Sequence, residues 1–175
     1  MVNEADIRRE AVTSVAHQML VAARTAPKGR GRDTIIATMA TDDERNRIAE
    51  KMEQIAVSEN LPFFARDASN LRRSDALILL GTRVEPLGLT YCGYCGFDSC
   101  GAKSGFPAVP CAINLTDLGI ALGSAANVAS QYHVDNRIMY SAGRGALDLG
   151  LFEEGVKVVF AIPLSVSSKS PYFDR

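Results

Sequence analysis

Hydrophobic positions along the chain fall into blocks with two different periods. Over residues 4–24, Ile7, Ala11, Val15, Ala16, Met19 and Ala22 recur at helical spacing, which predicts an amphipathic helix. Pro27 closes it, because a proline disfavours helical backbone at the residue before it. Residues 34–40 (TIIATMA) are apolar and β-prone and read as a buried strand. Thr41 followed by Glu44 is a capping-box start for a helix over residues 42–59, with Ile48, Met52 and Ile55 as its inner stripe. A short helical piece over residues 67–75 leads into a second core strand, residues 76–81 (ALILLG). From Cys111 to about residue 128 the chain is rich in Ala and Gly, a helix suited to close packing. A further helix over about residues 136–149 is weakened by Gly143 and Gly145. Residues 156–166 (VKVVFAIPLSV) form the last strand and residues 167–175 a polar tail. Strands separated by helices predict an α+β sandwich in which helices cover a central sheet.

Residues 82–110 break this pattern. They hold Pro86, Pro107 and Pro110, five glycines and three of the four cysteines. A long aperiodic segment inside a compact domain needs a reason, and a bound cofactor is the usual one. The chain therefore reads as a single domain, residues 1–175, with an inserted cysteine-rich segment at residues 82–111.

Composition narrows the setting of those cysteines. A chain of 175 residues, 47% hydrophobic and 22% charged, can bury a core without staples. A net charge of -1 and a pI near 6.1 give no footprint for nucleic acid or an anionic membrane. No stretch approaches the roughly 18 apolar residues of a membrane helix, and the polar first ten residues lack the apolar core of a signal peptide. A cytoplasmic location is expected. Thiols stay reduced there, so the four cysteines read as ligands or catalytic groups before disulfides.

Cys92, Cys95, Cys100 and Cys111 are separated by two, four and ten residues. Three thiolates within nine residues converge on a small cluster only if the loop wraps tightly. Gly93, Gly96 and Gly101, each following a cysteine, supply that freedom, and their N–H groups can point at sulfur. Cys111 stands at the start of a helix, whose dipole favours anionic sulfur. Three chemistries fit. A 4Fe–4S cluster uses four thiolates in a compact loop. A Cys₄ zinc site more often shows two C-x-x-C knuckles, where this chain has one. A thiol-exchange pair at Cys92 and Cys95 leaves the other two without a purpose. Tyr91, Tyr94 and Phe97 are expected to shield the site, and Asp98 to lower a cluster's potential or to serve as a turn residue. His17 and His133 read as structural or surface residues. No P-loop or G-x-S-x-G nucleophile motif is present.

The string C-G-Y-C-G-F-D-S-C at residues 92–100 resembles the C-G-x-C-G-x-x-x-C signature of 4Fe–4S modules in corrinoid/iron–sulfur proteins and electron-transport complexes, whose fourth cysteine lies further downstream than Cys111. Residues 22–27 (AARTAP), 118–124 (LGIALGS), 149–151 (LGL) and 156–164 (VKVVFAIPL) are similar to segments of nitroreductase-like proteins. The combination, with the tail KSPYFDR at residues 169–175, resembles DUF2148, a prokaryotic family of ferredoxin-domain proteins. The resemblance implies a nitroreductase-like frame, a mostly antiparallel sheet and a homodimer. It also implies FMN as a possible second cofactor. The candidate flavin-phosphate residues are Lys28, Arg30 and Arg32 in a glycine-containing loop, and Lys169, which sits where some nitroreductases carry a late base. The expected function is a one-electron carrier that exchanges electrons with a partner protein or small acceptor. The alternatives are an FMN-dependent oxidoreductase and a zinc-stabilised module without catalysis.

Overall fold

The computed structural model describes residues 1–173. Its helices are α1 (Glu4–Thr25), α2 (Asp42–Ser58), α3 (Pro62–Arg72), α4 (Cys100–Ser104), α5 (Ala112–Gln131) and α6 (Tyr140–Asp148). Its strands are β1 (Ile35–Met39), β2 (Ala76–Arg83), β3 (Asp135–Asn136) and β4 (Val156–Ser165). The strands form one antiparallel sheet in the order β1-β2-β4-β3.

The alternation of side chains along a strand divides the core into two layers. Ile78 and Leu80 of β2, with Ile162 and Leu164 of β4, face α1 and α5. Leu77 and Leu79, with Val159 and Ala161, face α2, α3 and α6. Helices on both faces explain why residues 76–80 of β2 are an unbroken apolar run although its sheet is antiparallel. The layering is helix, sheet, helix, and the predicted α+β sandwich is present.

Local chemistry fixes the element ends. The Thr41–Glu44 capping box is complete: the Thr41 hydroxyl accepts from the Glu44 N–H, and the Glu44 carboxylate from that of Thr41. Ala26 leaves helical geometry (ψ 137°) directly before Pro27. On α1 the buried face runs through Val12, Val15, Ala16, Met19 and Ala23, while Ile7 is exposed.

Several expectations need correcting. The short helical piece is α3, which starts earlier, with Pro62 in the first turn where its missing N–H is harmless. The polar tail is partly internal: Pro171 and Tyr172 are buried. The Tyr172 carbonyl accepts from Arg137 (3.3 Å), which also contacts buried Asp67. Burial pushes the Tyr172 phenol well above its usual range. Asp174 and Arg175 of the tail motif lie outside the described residues.

Gly143 and Gly145 do not merely weaken α6; they let it pack. A Cβ at Gly143 would stand 2.0 Å from the Val159 carbonyl oxygen, and one at Gly145 3.1 Å from Met52 Cγ. Helix α6 therefore lies almost on the backbone of β4. A Gly143→Ala variant should lose about 3 kcal/mol of stability, the upper end for overpacking, measured by urea unfolding. An unchanged midpoint would contradict this approach of helix to strand.

Candidate metal centre

The cysteine segment is held by the first turns of α5. Cys111 is the N-cap residue of that helix and is buried. One turn on, buried Asn114 accepts from the Glu85 N–H at 3.0 Å, pinning the chain soon after β2. Asp117, also buried, accepts from the Gly29 N–H with both oxygens, at 3.0 and 3.1 Å. Gly29 is packed so closely that a Cβ there would meet Leu87 and Ile113 at 2.6 and 2.7 Å. Arg30 then donates to the Leu87 carbonyl at 3.1 Å, and Arg32 to that of Pro86 at 3.4 Å, beside Glu85. Two loops distant in sequence are thus tied to each other and to α5.

Between these ties the backbone turns on glycine where the sequence predicts. Gly93 (φ 74°) and Gly96 (φ 82°) adopt left-handed geometry, and the Gly96 N–H closes a turn onto the Gly93 carbonyl at 2.9 Å. Gly101 differs, because it lies inside α4, capped by the Ser99 hydroxyl on the Ala102 N–H (3.1 Å).

All four cysteines border one pocket, together with Leu87, Leu89, Phe97 and Ile113. None is in a disulfide; Cys92, Cys95 and Cys100 are half-buried. Among the described residues, no three His, Cys, Asp or Glu side chains are grouped tightly enough to hold a metal ion. The four thiols ring a shared apolar space instead. The N-terminus of α5 adds a partial positive charge beside Cys111. The aromatic shield is narrower than expected. Phe97 stacks on Phe106 with ring centroids 5.2 Å apart, but Tyr91 and Tyr94 stand 99% and 78% exposed and cover nothing. Asp98 is exposed, as are His17 and His133.

The cations proposed for a flavin phosphate are engaged within the chain. Lys28 donates to the carbonyls of Ala23 (2.8 Å) and Arg24 at the end of α1, and burial lowers its pKa from the ordinary lysine value. Arg30 and Arg32 make the loop contacts described above. Lys169 is exposed in the tail, where its carbonyl accepts from the Ser167 hydroxyl at 2.7 Å.

A family described as uncharacterised proteins containing a ferredoxin domain, DUF2148, matches residues 108–175. An uncharacterised protein of Archaeoglobus fulgidus is 40% identical over 182 residues, spanning 100% of this chain and 97% of that relative. The chain belongs to the DUF2148 family. The matched segment of this DUF2148 protein begins just before Cys111, so Cys92, Cys95 and Cys100 precede it. Solved structures show the frame. A nitroreductase family protein from Clostridium novyi NT superposes with a TM-score of 0.62 at 16% identity, covering 92% of this chain and 76% of that one. A BluB-like flavoprotein from Clostridium difficile 630 gives 0.58 at 19% identity, covering 93% and 85%. A putative nitroreductase in complex with FMN from Desulfovibrio desulfuricans gives 0.61 at 12% identity, covering 93% and 78%. The DUF2148 chain therefore has the nitroreductase-like fold.

Three residues of the site were not apparent from the pattern: Asn114, Asp117 and Lys103. Asp117 is the one charged residue of α5, and Asn114 lies in its otherwise apolar first turn, which is the signal that could have marked them. Lys103 carries none, since lysine in a loop normally points to water. Asp117→Ala should cost about 1–3 kcal/mol by stripping the Gly29 N–H of its acceptor, with Asp117→Asn costing less. Equilibrium unfolding of the two variants measures this; equal losses would show that the bond contributes nothing.

Proposed function

We propose that Cys92, Cys95, Cys100 and Cys111 together hold one 4Fe–4S cluster and that the chain is an electron-transfer protein. The observation that carries this reading is that four free cysteines, distributed over two turns, a short helix and a helix start, border one apolar pocket. The donor set fits the group: four thiols outside any disulfide, with the N-terminus of a long helix behind one of them. The description of the family as containing a ferredoxin domain supports the same reading. Zinc is the alternative for four thiols, but a Cys₄ zinc site more often shows two C-x-x-C knuckles, where this chain has one.

When bound, the cluster accepts and releases single electrons. The chain's own part is to bind and to exclude water. Leu87, Leu89, Ile113 and the Phe97–Phe106 stack line or cover the site, and lowering local polarity in this way tunes potential. The half-burial of three cysteines leaves one side near solvent, where a redox partner protein or a small acceptor can approach. A compartment that keeps thiols reduced is the setting this requires.

FMN binding is the second reading, supported by the flavoproteins among the fold's likenesses. The internal hydrogen bonds of Lys28, Arg30 and Arg32 weigh against it, since a phosphate would compete with carbonyls already held.

Protein purified without oxygen should be brown, contain about four iron and four sulfide per chain, and give an EPR signal in one oxidation state only. Cys95→Ala should lose the centre entirely. Stoichiometric zinc without sulfide would sink the proposal. A yellow protein that loses its colour on Arg30→Glu would transfer the assignment to flavin.

A further inference from the structure

Lys103 is 1% exposed, the largest of the fully buried side chains. It lies on α4, three residues after Cys100, and borders the same pocket as all four cysteines. Its ammonium makes one hydrogen bond, to the Phe106 carbonyl at 3.4 Å, at the long limit for such a bond. It belongs to none of the ion pairs among the described residues. An isolated ammonium taken out of water is among the costliest things a fold can bury, and lysines are almost never fully buried unless paired. Among the described residues no carboxylate is paired with it, and the pocket it borders is lined by four cysteines.

We infer that Lys103 is the built-in counter-charge of the anionic centre formed by those sulfurs, and that it holds the reduction potential up. This rests on the iron–sulfur reading above. A cluster carried by four thiolates is a net anion, and adding one electron makes it more negative by one charge. A fixed cation in a low-dielectric pocket stabilises the reduced state more than the oxidised one. The same attraction offsets the desolvation of the ammonium, so cation and cluster each make the other's burial tolerable. Lys103 is a positioning residue in this account: it carries no electron and no proton, and acts on the centre by charge.

Two neutral variants separate charge from hydrogen bonding. Lys103→Met removes both, whereas Lys103→Gln keeps a donor for the Phe106 carbonyl. Reconstituted anaerobically and titrated with a one-electron reductant under EPR, both variants should shift the oxidised-to-reduced ratio at fixed potential about tenfold toward oxidised, a fall of about 59 mV in midpoint. A second readout needs no cluster. In urea, cluster-free Lys103→Met should be at least as stable as the cluster-free parent, because it no longer buries an unpaired charge. A midpoint unchanged in both variants, or lowered only in Lys103→Met, overturns the counter-charge assignment and leaves the cluster standing. So does a cluster-free Lys103→Met less stable than its parent, which would make Lys103 a packing residue. A parent chain that takes up no iron and sulfide overturns the cluster reading and this inference with it.

Discussion

The bonds from Asn114 and Asp117 to the backbones of Glu85 and Gly29 are the contacts on which the rest of the site depends. The cysteine segment has almost no regular structure of its own, so nothing within it can fix where its sulfurs lie. The first turns of α5 do that instead. They begin with Cys111, and within the next two turns they accept from the two loops that flank the pocket. Both acceptors are buried, so their bonds form in a medium where an unmet donor is expensive. Helix α5 is in turn seated on α1 and the sheet through Leu118, Ala121, Leu122 and Ala125. The positions of the cysteines are thus inherited from the hydrophobic core through one helix.

Much of this was visible in the amino-acid pattern. Helix α1, strand β1, the capping box at Thr41 and strand β4 were legible because each rests on local spacing or local capping chemistry. The cysteine set was legible for a similar reason: its spacing and its glycines are sequence-local, and Gly93 and Gly96 do turn left-handed. What escaped depends on contacts between distant residues. Gly143 looked like a weakness in α6 until the Val159 carbonyl was found where its Cβ would be. Tyr91 and Tyr94 looked like a shield because aromatics beside cysteines usually pack, yet the loop turns them outward. Lys103 looked like surface.

The basic loop shows how one residue pattern can serve a different end on a shared frame. Cations among glycines suggest a phosphate cradle, and the fold is that of proteins whose relatives carry FMN. In this chain the loop is spent on its own backbone. Lys28 closes the end of α1, Arg30 and Arg32 grip the carbonyls of Leu87 and Pro86, and Gly29 is pressed between Leu87 and Ile113. These groups brace one wall of the cysteine pocket.

That difference bears on how a single frame can carry two kinds of pocket. A flavin needs a broad, open cleft with free cations for its phosphate; a cluster needs a small apolar pocket with thiolates and a charge to balance them. The segment between β2 and α5 brings four cysteines and a buried lysine to one small pocket, and the braced loop commits its cations to backbone carbonyls. Bracing also costs little, because the arginines meet carbonyls at a partly exposed edge and keep their charges near water. Lys103 has no such access: it is a fully buried lysine in the lining of the cysteine pocket, and this sets it apart from the cations of the basic loop.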